Sequence, residues 1–347
     1  MNHLINTLKI HMKKSMKRII AIVAGGDSSE HDVSLRSAQG IYSFMNKNLY
    51  ETYIIEISGT DWKARLADGN TAVVSKEDFS FYVGDRTVRP DFAYITIHGA
   101  PGENGLLQGY FDLIRMPYST SDVLVEALTF NKYFLNNFLR SFDVNVADSI
   151  LLRKGEDTQW TDEAIVDRVG LPCFIKPAAD GSSFGVTKVK TCNQLRPAIA
   201  KAMEEGDEIM IESFIQGREI TCGCYKTRQG SHVLPITEVV TQNEFFDYDA
   251  KYNGAVQEIT PARICKDTAR RVGELTSRLY DLLNCRGIIR IDYILTGEEG
   301  KENIHLLEIN TTPGMTATSF IPQQVKAAGM DMGEVLSEII EDRMATM

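Results

Sequence analysis

The stretch Gly287-Ile288-Ile289-Arg290-Ile291-Asp292-Tyr293-Ile294-Leu295, a polar turn with two glycines, and then Ile304-His305-Leu306-Leu307-Glu308-Ile309-Asn310 constrain this chain more than any other segment. Apolar runs of strand length, separated by a polar glycine-bearing turn, predict a β-hairpin. Side chains alternate across a strand, so Arg290 and Asp292 share one face, and Glu308 and Asn310 share one face of the partner strand. With the turn centred near Glu299 and Gly300, Asp292 comes opposite Glu308 and the four polar side chains gather in one patch. Two carboxylates and an amide are hard oxygen ligands suited to Mg²⁺ on nucleotide phosphates, with Arg290 as a fixed positive charge. A solvated sheet face crossed by an ion pair satisfies the same pattern.

What flanks the hairpin narrows the choice. Thr311-Thr312-Pro313-Gly314-Met315-Thr316 follows directly, and the glycine of such a turn lets a backbone N–H approach a ligand closely enough to stabilise a developing oxyanion. Earlier, Phe174-Ile175-Lys176-Pro177 ends a strand on a lysine and leads into Asp180-Gly181-Ser182-Ser183-Phe184-Gly185. A strand-end lysine neutralises phosphate as a point charge, and a Gly-Ser-Ser-x-Gly loop offers N–H groups and hydroxyls to phosphate oxygens. A surface hairpin loop would look alike. No GxxxxGK[ST] is present, so this is not a Walker-type loop. Gly25-Gly26-Asp27-Ser28-Ser29-Glu30 lacks the GxGxxG of dinucleotide binders. Its terminal glutamate, entering a helix, suits a substrate ammonium or simply the helix dipole.

The remaining elements read as alternating strands and helices. An α/β start runs through Lys17–Ala24, a helix through Val33, Ile41 and Phe44, and strands at Tyr53–Ile57 and Phe92–Ile97. Ser121-Asp122 caps one helix carrying Leu124, Leu128, Leu135 and Phe138. Strands are expected at Cys173–Lys176, Val186–Val189 and Glu208–Glu212, and helices at Gln194–Glu205, Asp267–Leu283 and Gly333–Met344. At 347 residues and 43% hydrophobic content the chain suits two or three close-packed domains. A net charge of −10 with no basic stripe argues against a nucleic-acid surface. No apolar run is long enough for a membrane span, and residues 1–17 lack a signal-peptide core, which places the chain in the cytoplasm. The first fifteen residues read as an extension ahead of Met16. Six cysteines without a CxxC pair read as reduced and structural; Cys222 and Cys224 share a strand face, but no second pair accompanies them as metal ligands.

In this order the segments resemble the ATP-grasp fold and, within it, the D-alanine:D-alanine ligases. The likeness runs from Lys17 to the C-terminal helix. It rests on Gly25 to Ser34, His98 to Gly109, Phe174 to Gly185, Phe246-Asp247-Tyr248-Asp249-Ala250-Lys251-Tyr252, Arg290-Ile291-Asp292 and Leu307 to Ser319. The resemblance implies three α/β domains, at 16–117, 118–213 and 214–347, with ATP held between the central and C-terminal ones. It implies Lys132, Lys176 and Lys251 near the phosphates, Glu212 and Ile215 at the adenine hinge, and Glu219 at the ribose. Asp292, Glu308 and Asn310 would hold two Mg²⁺ ions, with Mn²⁺ able to substitute. Glu30 would receive the ammonium of the first D-alanine near His98, and Ser182 and Tyr252 would complete a hydrogen-bonded triad with Glu30. Arg290 and the Gly314 N–H would stabilise the tetrahedral intermediate.

Ser319 and Phe320 would hold the second D-alanine carboxylate; Phe320 replaces the family's usual leucine, so its backbone carries the role. Asn131 stands where the family commonly has Asp, and His31-Asp32 where it has Arg-Glu. The implied reaction is ATP-dependent D-alanyl-D-alanine formation through D-alanyl phosphate, for peptidoglycan precursors, with a homodimer through the first domain and neither nucleic acid nor membrane as partner. D-lactate as acceptor is the alternative, which Tyr252 opposes. A nucleotide-binding protein without turnover is opposed by the joint presence of Lys176, Arg290, Asp292, Glu308 and Asn310.

Overall fold

The computed structural model describes residues 17–155, 160–179, 185–241 and 256–346. The first unit runs β1 (Arg18–Gly25), α1 (His31–Phe44), β2 (Tyr50–Ser58), β3 (Asp61–Arg65), β4 (Thr71–Val73), β5 (Phe81–Val83), β6 (Arg86–Val88), β7 (Phe92–Ile95) and α2 (Leu106–Leu113). Its five-stranded sheet has the order β4-β3-β2-β1-β7, with β1 parallel to both β2 and β7. Both faces of β1 are buried, which is why it reads as an unbroken apolar run. Ile20, Ile22 and Ala24 join one core cluster and Ala21 and Val23 another. The short antiparallel strands β3 to β6 carry no long apolar pattern and escape a reading by periodicity.

Next come α3 (Val123–Phe130), α4 (Lys132–Arg140), β8 (Ser149–Arg153), α5 (Asp162–Val169), β9 (Cys173–Pro177), β10 (Thr187–Val189), α6 (Leu195–Glu205) and β11 (Glu208–Ser213). The four strands form an antiparallel sheet in the order β10-β9-β11-β8. The single helix expected after Ser121-Asp122 is two helices. Asp122 does cap the first, accepting from the Val125 N–H. At Asn131 the backbone turns extended, its side chain accepts from the Phe134 N–H, and the Lys132 N–H donates to the Ala178 carbonyl at 2.9 Å. Asn131 thus ends one helix and caps the next.

The last unit has β12 (Arg218–Thr227), β13 (Gly230–Val233), β14 (Thr237–Thr241), β15 (Val256–Ile259), α7 (Lys266–Leu282), β16 (Ile288–Thr296), β17 (Asn303–Asn310), α8 (Phe320–Ala327) and α9 (Met332–Ala345). Its sheet runs β15-β14-β12-β16-β17, with β13 beside β12. Ile289, Ile291, Tyr293 and Leu295 of β16 enter a core with Val272 and Leu279 of α7 and with Leu135 and Leu139 of α4. The alternate residues of β16, Arg290 and Asp292, therefore face the other way. Helices α8 and α9 return to the first sheet, where Ile321, Val335 and Leu336 pack with Ile20 and Ile22. No helix among the described residues is long and apolar enough to cross a membrane.

Candidate active site

The hairpin expected from the sequence is β16–β17, with Asp292 opposite Glu308 and Arg290 opposite Asn310. Past Asp292 the register shifts to Tyr293 opposite Leu306, leaving Leu307 as an extra residue. This bulge lets Glu308 share the Asp292 face while Leu306 packs in the core beside Tyr293. The Arg290 guanidinium donates to both Asp292 oxygens at 2.9 and 2.8 Å and lies 3.8 Å from Glu308. Asp292 also accepts from the Thr221 hydroxyl of β12 at 2.5 Å and from the Asn310 amide at 3.2 Å. Asp292 is only 6% exposed, so this is no solvated sheet face. Burial disfavours the Arg290 charge, but Asp292 and Glu308 outweigh it and hold its pKa above the ordinary arginine value.

Among the described residues no group of three or more His, Cys, Asp or Glu side chains converges as a metal cage. A cation at the hairpin would be held by two carboxylates and the Asn310 amide oxygen, an all-oxygen set that suits Mg²⁺ with phosphate oxygens completing its shell. Asn310 now turns Nδ2 toward both Asp292 and Glu308, at 3.2 and 3.4 Å. A half-turn of the amide offers Oδ1 instead, so the side chains present fit such an ion.

A second wall comes from the four-stranded sheet. Lys176 on β9 and Glu212 on β11 sit diagonally across paired strands and meet at 2.5 Å, both nearly buried. The sequence suggested two separate roles for them; the fold brings them into contact. Phe174 and Phe214 meet edge to face at 5.7 Å, and the Lys188 ammonium lies 3.7 Å from the Phe214 ring centre. Lys132 and Ile215 line the cleft near this wall, and Glu219 enters it from β12 of the third sheet.

The third wall belongs to the first unit and the turn after β17. Glu30 stands at the N-terminus of α1. His98, 7% exposed, places its Nε2 3.3 Å from the Ser37 hydroxyl, which accepts from the Met315 N–H at the same distance. Gly314 lies against Ser319, where an added Cβ would come within 3.0 Å of its Oγ. Ser319 precedes α8, its Oγ accepting from the Thr316 N–H at 3.1 Å, and the Phe320 ring centre lies 5.3 Å from the Arg290 guanidinium carbon.

The three walls enclose one cleft of about 1140 Å³, larger than a single small-molecule pocket requires. Glu30, His98, Lys132, Lys176, Glu212, Ile215, Glu219, Arg290, Asp292, Glu308, Asn310, Gly314, Ser319 and Phe320 all line it. Ser182, Lys251 and Tyr252 lie outside the described residues.

The cleft also contains groups the sequence did not single out. Glu103 accepts from the Gly99 N–H at 2.7 Å, and burial raises its pKa despite that bond and the nearness of His98. Its only sequence signal is its place five residues after His98 in a glycine-rich loop. Glu238 and Arg263 form a two-pronged pair at 2.8 and 3.0 Å, with Arg263 lowering the glutamate's pKa. They lie 25 residues apart and nothing in the sequence pairs them. Cys222 and Cys224 lie in the core of the third sheet, and burial pushes both thiols up to about 12.

Two family models together cover most of the chain: the D-ala D-ala ligase N-terminus over residues 19–121 and the D-ala D-ala ligase C-terminus over 138–341. The chain belongs to the D-alanine–D-alanine ligase family. It is 62% identical over 328 residues to a D-alanine–D-alanine ligase of Phocaeicola vulgatus, covering 94% of this chain and all of the relative. It is 54% identical over 326 residues to that of Porphyromonas gingivalis, covering 94% and 98%. Among solved structures of the ATP-grasp ligases, the VanG D-Ala:D-Ser ligase of Enterococcus faecalis matches with a TM-score of 0.82 at 29% identity, covering 94% of this chain and 99% of that one. The ATP complex of the Bacillus anthracis D-alanine–D-alanine ligase matches with a TM-score of 0.74 at 26% identity, covering 95% and 98%. Family membership makes the chain an ATP-dependent, ADP-forming ligase.

Proposed function

We propose that this ligase joins two D-alanine molecules, using ATP to convert the first into D-alanyl phosphate. The observation that carries this reading is the meeting, in one cleft, of a lysine wall, an oxygen-donor cluster with its own arginine, and a glycine turn beside a helix N-terminus. ATP lies between the second and third sheets, its base near Glu212 and Ile215, its ribose at Glu219 and its phosphates near Lys132 and Lys176, with Lys251 closing from outside the described segments. Asp292, Glu308 and Asn310 would hold Mg²⁺, in two ions and with Mn²⁺ able to substitute, which would supply positive charge against the phosphates.

Glu30 and His98 hold the first D-alanine with its carboxylate toward the hairpin. A carboxylate oxygen takes the γ-phosphoryl group and ADP is left. The second D-alanine, its carboxylate at Ser319 and the Phe320 backbone, loses an ammonium proton and attacks the acyl carbon. Arg290 and the Gly314 N–H stabilise the oxyanion, and its collapse forms the amide bond and expels inorganic phosphate. Excluding water protects the acyl phosphate meanwhile, a task for the segments carrying Ser182 and Tyr252.

The reading extends to the rest of the molecule. Domains at 16–117, 118–213 and 214–347 are the division this reading takes, supported by one sheet lying in each, with α3 and α4 packing on the core of the third. A homodimer through the first domain is supported by the exposed Leu106 and Leu113 of α2 beside Val123 and Leu124. A cytoplasmic site of action, supplying peptidoglycan precursors, accords with ATP as substrate and six free cysteines. The test is phosphate release from ATP with D-alanine, D-lactate or neither. D-alanine-dependent release with D-alanyl-D-alanine as product is expected. Release without any amino acid, or product with D-lactate alone, would refute the reading.

A further inference from the structure

Glu126 has no place in the chemistry above, yet it is fully buried in α3, with 0% exposure. One carboxyl oxygen accepts from the Thr311 hydroxyl at 2.5 Å, and the other has no hydrogen-bond partner among the described residues. A position serving packing alone would be apolar, since a buried polar group short of partners is destabilising. Burial raises the Glu126 pKa well above the usual carboxylate range, with the Thr311 hydroxyl pulling the other way. Its short hydrogen bond from Thr311 is what links this carboxyl group to the rest of the site.

Its neighbours show what that bond connects. The start of α3 is fixed to the entry of β16. The Ser121 hydroxyl accepts from the Arg286 N–H at 3.1 Å, and Gly287 lies so close to Ser119 that an added Cβ would meet its carbonyl oxygen at 1.9 Å. Thr311 directly follows Asn310 at the exit of β17. Glu126 therefore ties the frame around the entry of β16 to the turn leaving β17, at the open end of the hairpin. That turn is held elsewhere by the Thr312 hydroxyl donating to the Ile97 carbonyl at 3.3 Å and by the Met315 N–H donating to Ser37, also at 3.3 Å. Of these three ties the one to Glu126 is the shortest.

We propose that Glu126 is a positioning residue for the acyl-transfer half of the reaction, holding the Thr311–Gly314 turn so that the Gly314 N–H meets the developing oxyanion. The inference rests on the assignment of that N–H above. A displacement of about 1 Å at such a donor lowers turnover by about a hundredfold. Phosphoryl transfer is expected to be spared, because Lys176 and Asp292 are held by bonds of their own to Glu212, Thr221 and Arg290.

The test uses four variants of the full chain: Glu126→Gln, Glu126→Leu, Thr311→Val and the double variant Glu126→Leu/Thr311→Val. Replacing both partners by apolar groups of similar shape spares the fold where single changes strand a polar group. For each, thermal unfolding, kcat and KM are measured, together with D-alanine-dependent ¹⁸O scrambling between the bridge and non-bridge positions of ATP, which reports reversible phosphoryl transfer alone. Glu126→Gln keeps the acceptor for Thr311 and is expected to retain kcat within about twofold. The double variant is expected to unfold near the wild-type temperature and to lose kcat by about tenfold to a hundredfold, with KM for ATP and isotope scrambling unchanged. A folded double variant with wild-type kcat would overturn the proposal, as would parallel loss of scrambling and turnover. Wild-type protein that releases no phosphate on adding D-alanine would instead remove the underlying assignment.

Discussion

Lys176 and Glu212 meet across neighbouring strands of the second sheet, whereas Arg290 and Asp292 lie on one strand of the third and are doubly hydrogen-bonded there. Asp292 also receives the Thr221 hydroxyl and the Asn310 amide. Lys176, Glu212 and Asp292 are buried and Arg290 is partly so, but the freedom of the two pairs differs. A planar guanidinium locked on a carboxylate that has further donors cannot turn away without breaking several bonds at once. A lysine ammonium on a four-carbon stem can swing to an incoming phosphate. The lysine wall is built to exchange partners, while the hairpin is built to stay in place.

The sharpest way to break this contrast is to remove one member of the exchangeable pair. Lys176→Met or Glu212→Leu each leaves a buried charge without its partner and should destabilise the fold by about 3–5 kcal/mol. The double variant should recover much of that stability while ATP binding stays weak. Urea unfolding and nucleotide titration measure both; singles as stable as wild type would show that the pair is not isolated from solvent.

At the fixed cluster the expected effect is on rate. Glu308→Gln keeps shape and removes a charge from the oxygen set, so kcat should fall by about a hundredfold to a thousandfold, on the order of 3–4 kcal/mol, with an unfolding temperature near wild type. Wild-type ligation by the folded variant would sink the metal assignment.

A smaller effect is expected on acceptor choice. Tyr252, by the family resemblance, shares a hydrogen-bond network with Ser182 and Glu30, and Tyr252→Phe deletes one bond while keeping the ring. D-alanine must lose a proton before attack and D-lactate need not. The variant should therefore form measurable D-alanyl-D-lactate, most visibly below neutral pH. Equal product partition in both proteins at every pH would remove Tyr252 from acceptor selection.

The smallest effect concerns the core behind the hairpin. Cys222 and Cys224 are held protonated by burial, so at pH 8 alkylation should reach the exposed Cys192 and leave these two intact until unfolding. A thiol whose folded pKa is raised supports the fold fully below about pH 9 and loses that support as pH climbs toward about 12. Mass spectrometry of labelled protein checks the first statement and alkaline unfolding the second.

The fixed cluster was legible in the sequence because strand alternation and turn position alone put Asp292 opposite Glu308. The exchangeable pair was not, because Lys176 and Glu212 are 36 residues apart and only the sheet order β9-β11 makes them neighbours. The same holds for Glu238 with Arg263 and for Glu126 with Thr311, whose contacts are tertiary. The break at Asn131 was hidden for another reason: apolar spacing continues through it, and a single extended residue, with the next N–H bonded to Ala178, leaves no trace in periodicity. Short hairpins such as β5–β6 lack enough residues to show a period at all.

By the mechanism proposed above, ATP activates a D-alanine carboxylate by phosphorylating it in the cleft between these two walls. This step is tested most directly with D-alanine carrying ¹⁸O in its carboxylate. Attack of that carboxylate on the γ-phosphoryl group, followed by amide formation, leaves one labelled oxygen on the inorganic phosphate released for each D-alanyl-D-alanine formed. One ¹⁸O per phosphate and none in the nucleotide is expected. Dipeptide formed with unlabelled phosphate, or with the label in AMP, would contradict it.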